Sequence, residues 1–271
     1  MKGAKYEKIS KCRGGGNLRL SIQGFSELLN RYLFSYSKNF GFTLAEVLVT
    51  LGIIGVVSAL TVPTLMQNYQ RKSYVTQLHK VYNELSQALL QYQTDRNAVN
   101  LREAGINSLN NTLAFINSYF KVITDCGADT EPCFATEYHK LDGTKMDDER
   151  CSSKHPCLVL ANGCSMSIYY PDGDVGPIFQ VILDINGQKG PNIAGRDFFS
   201  FYVYNNGVID DLATKDSEDS PNGFEWDASV TAPLSEDIRE TNFNRGCMSN
   251  KPREWNGCFG KILNDNWEMN Y

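Results

Sequence analysis

The chain has 271 residues, of which 42% are hydrophobic, a composition that allows a folded core and excludes an intrinsically disordered protein. Its charge is uneven: residues 1–41 carry eight Lys or Arg and two acidic residues, whereas the remainder carries 18 basic and 29 acidic residues. The acidic remainder is poorly suited to binding phosphate backbones, so nucleic acid is not the expected ligand. A basic segment before a long apolar run is typical of the cytoplasmic flank of a membrane span.

A long apolar run covers residues 44–66 and reads LAEVLVTLGIIGVVSALTVPTLM, with Glu46 as its only charged residue. At a helical rise of about 1.5 Å per residue, the run is long enough to cross roughly 30 Å of hydrocarbon. The apolar core of an ordinary secretory signal is shorter and ends in small residues, whereas this run continues into a helix-periodic stretch. The sequence therefore predicts one membrane-spanning helix over residues 42–66.

The residues after this run follow a helical period. Apolar side chains recur there at spacings of three and four: Val75, Leu78, Tyr82, Leu85, Leu89 and Tyr92. Such spacing is typical of a helix with one buried stripe. We predict one helix over about residues 43–95, whose first half faces lipid. Residues 67–97 contain its amphipathic second half, which is expected to pack on a globular domain of residues 98–271.

The segment KNFGFTLAEVLVTLGIIGVVSALTVPTLMQNY, which begins at Lys38, resembles the prepilin signature of type IV pilins and type II secretion pseudopilins. The resemblance implies that a prepilin peptidase cleaves after Gly41, removes residues 1–41 as a leader and methylates the amine of Phe42. It also implies that the apolar helix is retained as a membrane anchor and as the core of a filament.

Three further residues fall where the family places residues used in assembly: Glu46, Gly55 and Pro63. A carboxylate in a spanning helix costs up to about 3 kcal/mol on insertion scales, so Glu46 needs a partner or a role. The resemblance implies that Glu46 pairs with the Phe42 amine of a neighbouring subunit; the alternative is an interfacial carboxylate that contacts headgroups and water. Pro63 removes a helix hydrogen bond and Gly55 lowers helix propensity. The segment between them either softens during assembly or is an ordinary kinked membrane helix.

The expected leader departs from the family pattern because it is long and contains apolar residues such as Leu18, Phe25 and Leu33. Two interpretations stay open: an extended leader on the inner membrane face, or an upstream extension from a misassigned start. Cys12 would lie in the reducing cytoplasm and be removed with the leader.

The globular part combines a short helix with several strands. Helical spacing over residues 107–122 predicts a helix or a helix-loop segment. Four segments carry strand patterns: 157–161, 165–170, 179–185 and 198–204. The pairs Asn162-Gly163 and Asn206-Gly207 predict tight hairpins because both residue types tolerate positive φ. The expected result is a four-to-five-strand antiparallel sheet on the second half of the long helix. This is an α+β, pilin-like fold, which the resemblance also implies.

A loop after the third strand pattern reads VILDINGQKGPNIAGRDFF over residues 181–199 and resembles a segment that recurs in pseudopilin-like proteins. Asp184, Asn186 and Asp197 offer hard oxygen ligands, and the glycines allow the loop to fold back, which suits calcium. Some major pseudopilins bind calcium in a loop of their sheet domain. The alternative is an Asx-capped turn in which Asp184 and Asn186 bond their own backbone. We expect no required cofactor, with calcium as a candidate ligand of this loop.

Seven cysteines follow Gly41, none of them in a C-x-x-C pair, and the chain has three histidines, so a structural zinc site fits poorly. Disulfides in an oxidising compartment fit better. The nearest pairs are the predicted bridges: Cys126 with Cys133, and Cys247 with Cys258. The connectivity of the other three stays open: Cys151, Cys157 and Cys164. An odd count leaves one thiol free or shared between molecules.

Two features of the last quarter receive structural predictions. The acidic run over residues 210–219 predicts a solvated loop. Trp226, Trp255 and Trp267 lie near Phe243 and Tyr271 in the sequence and predict a disulfide-pinned cap over the sheet. Sugar or surface binding by these aromatic residues is a second interpretation.

Enzyme signatures are missing from the sequence: His79, His139 and His155 stand in no G-x-S-x-G, H-E-x-x-H or Walker pattern. We therefore predict a structural subunit of a secretion pseudopilus or a type IV pilus-type filament, and not an enzyme. One alternative is a minor tip pilin that binds a surface, a secreted substrate or DNA; another is a single-span membrane-anchored enzyme. The size of the outer part favours a minor over a major subunit.

The resemblance also implies the partners and the location. The expected partners are other pilin-like subunits, a prepilin peptidase, an inner-membrane platform protein and an assembly ATPase. The expected location is the bacterial inner membrane, with a periplasmic or extracellular globular domain.

Overall fold

The computed structural model describes residues 41–147, 150–171, 176–218, 224–227 and 229–271. The expected leader, apart from Gly41, lies outside these residues, and so does Cys12. The chain divides into two compact units, Met1–Thr61 and Val62–Tyr271.

One long helix, α1 (Leu44–Asp95), contributes to both units. In the first unit its residues are exposed and almost all apolar. Among the described residues, it is the one helix long and apolar enough to cross a membrane, with a mean hydropathy of 2.1 in its most apolar window. The predicted helix agrees with this element to within one residue at its start.

In the second unit, α1 buries one stripe of side chains: Val75, Leu78, Val81, Leu85, Ala88, Leu89 and Tyr92. The spacing of three and four confirms the predicted amphipathic half. Tyr82 is half-buried rather than buried, and it packs at the edge of the stripe against Phe259 and Trp267.

Three shorter helices follow: α2 (Leu109–Tyr119), α3 (Glu236–Asn242) and α4 (Cys258–Asn264). The predicted segment of residues 107–122 contains α2, which begins at its N-cap Ser108, whose hydroxyl accepts a hydrogen bond from the Asn111 amide. A π-helical turn, Phe243–Cys247, continues directly from α3.

Six antiparallel strands form the main sheet in the order of the chain: β1 (Val122–Gly127), β2 (Cys157–Leu160), β3 (Ser165–Tyr169), β4 (Pro177–Asp184), β5 (Phe198–Tyr204) and β6 (Ile209–Asp210). A separate hairpin consists of β7 (Thr214–Asp216) and β8 (Phe224–Trp226). The predicted hairpins between β2 and β3 and between β5 and β6 are present, with Gly163 at φ +89° and Gly207 at φ +83°.

The prediction of four to five strands is too low because β1 precedes them. Val122 was assigned to the end of the short helix segment, and residues 123–127 were predicted in no element. β1 is an edge strand whose pairing with β2 is interrupted by two register shifts. None of its residues is fully buried, and Ile123 and Asp125 are exposed. Such a strand lacks the regular hydrophobic alternation by which strands are recognised.

Both faces of the main sheet are covered. On one face Phe199, Phe201 and Val203 of β5 join the buried stripe of α1 in the largest hydrophobic cluster, together with residues of α2 and α4. On the other face Phe198 packs with Tyr138 and Trp255 in a second cluster. Successive residues of a strand point to opposite faces, so this double cover explains why every residue of β5 is buried.

The C-terminal region is tied to the rest of the domain by a buried lysine. The ammonium of Lys140 donates to the carbonyls of Gly246 (3.0 Å) and Lys251 (3.2 Å), and also to that of Glu254. Burial lowers the pKa of Lys140 to about 8, although nearby carboxylates oppose this shift. Three carbonyls around one ammonium fix the path of the segment between the π-helical turn and α4.

The tryptophans of this region pack at different places. Trp267 lies against Tyr82 and Phe259, on the helix side of the sheet. Trp255 contacts Phe198 on the opposite side, with ring centroids 4.9 Å apart. The predicted cap is therefore divided: Trp267 and Trp255 pack on opposite sides of the sheet, and Phe243 packs on Tyr271.

The prediction of a solvated loop over residues 210–219 is wrong for its first part, since Ala213 is buried and Thr214–Asp216 form β7. Asp210 and Asp211 are both completely buried. Asp210 forms a two-pronged ion pair with Arg239 of α3, at 2.8 and 2.6 Å. The local composition suggested a solvated loop, but α3 and α4 fold over its start.

Candidate functional site

The predicted cleavage site lies immediately before α1. Gly41, Phe42 and Thr43 precede the first helical residue, and Phe42 is 85% exposed. A methyl group added to Gly41 would meet no atom within 4 Å. Within the part of the chain that the structure describes, this position is therefore sterically unobstructed.

Glu46 and Thr43 form a reciprocal cap at the start of α1. The backbone N–H and the hydroxyl of Thr43 each donate to Glu46 Oε2 at 2.9 Å. In return, the Glu46 amide donates to the Thr43 hydroxyl at 3.2 Å. This is a capping box, which satisfies backbone donors that the first turn of a helix leaves without partners.

The capping box was not predicted, although its signal, Thr43 followed three residues later by Glu46, stands in the sequence. Both alternatives considered for Glu46 placed its carboxylate outside its own chain. Only Oε2 is used by the cap, and among the described residues no donor contacts Oε1. One oxygen of Glu46 thus fixes the helix start while the other remains exposed.

Gly55 and Pro63 both lie inside α1. A side chain added at Gly55 would meet nothing within 4 Å. Pro63 has no amide hydrogen, so the Ala59 carbonyl lacks its usual helical donor. Softening of the segment between these two residues stays a prediction.

Large apolar side chains cover the whole circumference of the first part of α1. Their exposed fractions reach 77% at Leu44, 72% at Leu60 and 70% at Leu65. None of the most apolar 18-residue window is buried within the chain. An apolar surface of this extent is stable only in lipid or against other apolar helices.

The three residues of the candidate calcium loop lie together. Asp184 accepts a hydrogen bond from the Tyr138 hydroxyl at 2.5 Å and another from the Asn186 amide at 3.0 Å. Asp197 accepts hydrogen bonds from the amides of Asn192 (2.8 Å) and Ile193 (2.7 Å). The side-chain amide of Asn186 also donates to Asp197, at 3.4 Å.

Burial governs the protonation of this cluster. Both carboxylates are completely buried. Burial raises the pKa of Asp184 to about 7; the nearby charge of Asp197 adds to the rise, and the Tyr138 hydroxyl opposes it. Burial also raises the pKa of Asp197, against the hydrogen bonds from Ile193 and Asn192.

These contacts match the Asx-turn interpretation, because the Asp184 carboxylate accepts from the backbone two residues ahead. The side-chain oxygen of Asn186 is buried without a partner in the described part of the chain, and it could serve a hard cation. Calcium normally takes six to eight oxygens, however, whereas this loop brings three side chains together. No group of three His, Cys, Asp or Glu residues suited to a metal occurs among the described residues. Calcium binding by Asp184, Asn186 and Asp197 stays a prediction.

Three disulfides stabilise the globular part of residues 98–271. The two predicted bridges, Cys126–Cys133 and Cys247–Cys258, are present, and the third joins Cys151 to Cys157. Cys164 remains as a buried free thiol whose sulfur lies 3.2 Å from the Ile185 carbonyl oxygen. Burial raises the pKa of Cys164 to about 12, so this thiol is protonated and inert.

Comparison with protein families identifies the N-terminal segment. Residues 36–62 match the family model described as the prokaryotic N-terminal methylation motif. This match covers Gly41, Phe42 and Glu46 and extends to the residue before Pro63. Neither the curated proteins nor the solved structures gave a match. The motif is the signature of type IV pilins and pseudopilins, and together with the single apolar helix it indicates a membrane-anchored, single-pass protein.

Proposed function

We propose that this chain, which carries the type IV pilin and pseudopilin signature, is a structural subunit of a type II secretion pseudopilus or a type IV pilus-type filament. A prepilin peptidase cleaves after Gly41 and methylates Phe42. The apolar part of α1 then anchors the subunit in the membrane and later packs in the filament core.

One observation carries the proposal: the methylation motif leads directly into an apolar helix that none of the described residues covers. A core helix of a soluble enzyme would be buried on at least one face. Cleavage at the motif would create a new N-terminus beside the helix, and the helix itself needs an apolar partner. Both features favour a subunit that assembles with other subunits through this helix.

Glu46 gives this assembly a specific contact. Its free Oε1 is available to the methylated amine of Phe42 on a neighbouring subunit, while Oε2 holds the capping box with Thr43. In apolar surroundings such an ion pair is stronger than at a wet surface, and an unpaired carboxylate there is costly. The pair therefore favours one axial register between neighbouring helices.

The surroundings of the subunit follow from the same proposal. Three disulfides suit an oxidising compartment, so the outer domain is placed in the periplasm or outside the cell, and the anchor in the inner membrane. An inner-membrane platform protein and a cytoplasmic assembly ATPase are the expected partners. The acidic mature chain makes nucleic acid an unfavourable ligand, and the protein is proposed not to be an enzyme.

A minor tip subunit is the second candidate. It is favoured by the C-terminal region, in which α3, the π-helical turn and α4 are added beyond the main sheet and pinned by Cys247–Cys258. A tip subunit has room for such an addition, because no subunit packs above it. An anchored enzyme is less favoured, because it has no use for a methylated Phe42.

The assembly contact is tested with Glu46→Gln in the native host. We expect Glu46→Gln to be cleaved normally but to fall at least roughly tenfold in the sheared filament fraction, as about 1.4 kcal/mol corresponds to a factor of ten. The measurement is an immunoblot of sheared filaments and of membranes.

Glu84→Gln is the matched control, because Glu84 lies on the same helix and pairs only at its exposed surface with Lys80, at 3.8 Å. It should assemble like wild type. Normal incorporation of Glu46→Gln would contradict the proposed contact.

A further inference from the structure

A groove of about 620 Å³ lies between α1 and the C-terminal tail, wholly within the second compact unit. Arg71, Lys72 and His79 line it from the helix, and Trp267 and Glu268 line it from the tail. Its volume falls in the range of about 300–1,000 Å³ that is usual for sites of small ligands.

The groove carries positive charge that the described residues do not neutralise. Arg71 is half-buried, and its Nε is buried without a hydrogen-bond partner. Neither Arg71 nor Lys72 forms an ion pair with any described residue. Buried guanidinium nitrogens normally have acceptors, so Arg71 Nε offers a donor to an acceptor that enters the groove, and a guanidinium favours an anion.

Glu268 is the one carboxylate among the lining residues, and it does not complete the charge balance. It is exposed, and its oxygen accepts a hydrogen bond from the Asn270 side chain at 3.4 Å. Two permanent cations therefore face one solvated acid.

The tail wall of the groove is held in a strained conformation. Asn266 and Trp267 both have left-handed backbones, with φ of 51° and 63°. For a bulky residue such as tryptophan this conformation is rare and costs of order 1 kcal/mol or more, and strain of this kind concentrates at functional sites. In this backbone conformation the Trp267 ring stacks on the His79 ring, with centroids 4.0 Å apart and planes 18° from parallel.

The position of the groove along α1 indicates what the anion is. Arg71 follows Met66, the last residue of the apolar run, by five residues, or about 7.5 Å along a helix. That distance places Arg71 and Lys72 at the level of lipid headgroups when the run spans a bilayer. A tryptophan beside the end of a span is typical of either membrane interface, and Arg and Lys there can form charge-assisted hydrogen bonds to lipid phosphates.

We propose that this groove binds the phosphate headgroup of an anionic phospholipid, through Arg71 and Lys72, while the subunit resides in the membrane. The inference rests on the membrane anchoring in the proposed function. A carboxylate of a neighbouring subunit would also suit the charge, but the headgroup is favoured because the groove begins within two turns of the span and has an aromatic wall.

The test uses the full-length chain in detergent micelles and native mass spectrometry of retained lipid. The probes are phosphatidylglycerol, phosphatidylcholine and inorganic phosphate. We expect one phosphatidylglycerol to be retained in preference to phosphatidylcholine. The double variant Arg71→Gln/Lys72→Gln should bind it at least roughly tenfold more weakly, since each cation near anionic lipid contributes about a factor of five.

Lys80→Gln is the control, because Lys80 lies on the same helix outside the groove and pairs with Glu84. Lys72→Gln alone changes an exposed side chain and gives an intermediate result if the double variant does not fold. Equal retention by the double variant, equal affinity for phosphatidylcholine, or full displacement by inorganic phosphate would overturn the proposal.

A double variant that keeps its lipid but loses neighbouring subunits would show that the cations serve a protein contact, which also overturns the proposal. The lipid measurement does not depend on cleavage or assembly. A chain that is never cleaved after Gly41 but retains phosphatidylglycerol would contradict the proposed filament function and leave the lipid site supported.

Discussion

Asp211 is completely buried, and the two oxygens of its carboxylate have different surroundings. Oδ1 accepts a hydrogen bond from the Leu212 amide at 2.9 Å, whereas Oδ2 is buried beside Gly260, whose amide makes at most a weak contact with the carboxylate. Burial raises the pKa of Asp211 to about 7; the Leu212 amide opposes the rise, and the charge of Asp210 adds to it. This residue is therefore one source of a pH-dependent stability, together with Asp184 and Asp197.

We predict that stability falls as the pH rises from 5 to 7, and that Asp211→Asn makes this fall less steep. The remaining slope comes from Asp184 and Asp197, whose pKa values burial also raises. The folded chain holds the Asp211 proton up to a pH of about 7, whereas the unfolded chain releases it near 4, so the folded state binds more protons between these values. The stabilisation is full below pH 4 and is lost at up to about 1.4 kcal/mol per pH unit above it. Urea unfolding of the full-length chain in detergent at several pH values measures it.

Asp142→Asn is the control for this prediction. Asp142 is exposed, and hydrogen bonds from Thr144 hold its pKa below the usual value, so it stays ionised from pH 5 to 7. Its substitution should leave the slope of wild type. An Asp211→Asn chain with the wild-type slope would assign the pH dependence to another group.

Sequence reasoning reached Gly41, Phe42 and Glu46 but not Asp211, and the reason is physical. These three residues lie within one short segment, so their pattern can be recognised without knowledge of the fold. The burial of Asp211 instead depends on α4, which approaches closely because Gly260 has no side chain: a methyl group there would lie 2.7 Å from Asp211 Oδ2. No local pattern around residue 211 reports a contact with residue 260.

At the scale of elements, regular periods made the fold predictable. The stripe of α1 and the hairpin signals around Gly163 and Gly207 gave the long helix and strands β2 to β6. The edge strand β1 and the small β7–β8 hairpin were not predicted, because short or irregular strands lack a repeating pattern. The Cys151–Cys157 bridge stayed open, since spacing does not order three nearby cysteines.

The disulfides give a prediction at this scale. We expect the mature chain, unfolded without reduction and treated with iodoacetamide, to gain one adduct, at Cys164. The other six cysteines that follow Gly41 are paired, and Cys164 is inaccessible until the domain unfolds. Intact-mass spectrometry with and without urea counts the adducts.

Cys164→Ser should gain no adduct under the same conditions. A chain that still carries residues 1–41 should gain one more adduct, at Cys12. The intact mass shows whether these residues are present. Three or more adducts on the mature chain would show that at least one bridge does not form.

At the scale of the whole molecule, the chain consists of parts that need different surroundings. Residues 44–66 expose an apolar helix that requires lipid or other helices, whereas the second unit buries its own core and is pinned by disulfides. In the proposed function, the membrane provides lipid around this helix first, and the filament later provides the helices of other subunits. The methylation motif over residues 36–62 covers both the expected cleavage site and the first part of this apolar helix.

The most direct test is the N-terminal mass of the chain isolated from native membranes. The account predicts that wild type begins at a methylated Phe42, that Gly41→Ala keeps the residues before the cleavage site, and that Gly52→Ala is processed normally. Gly52 is a matched control because it lies in the same segment and, like Gly41, has no atom within 4 Å of an added methyl group. A wild-type chain that begins at Met1 or beyond Met66, or a Gly41→Ala chain still cut before Phe42, would contradict the account.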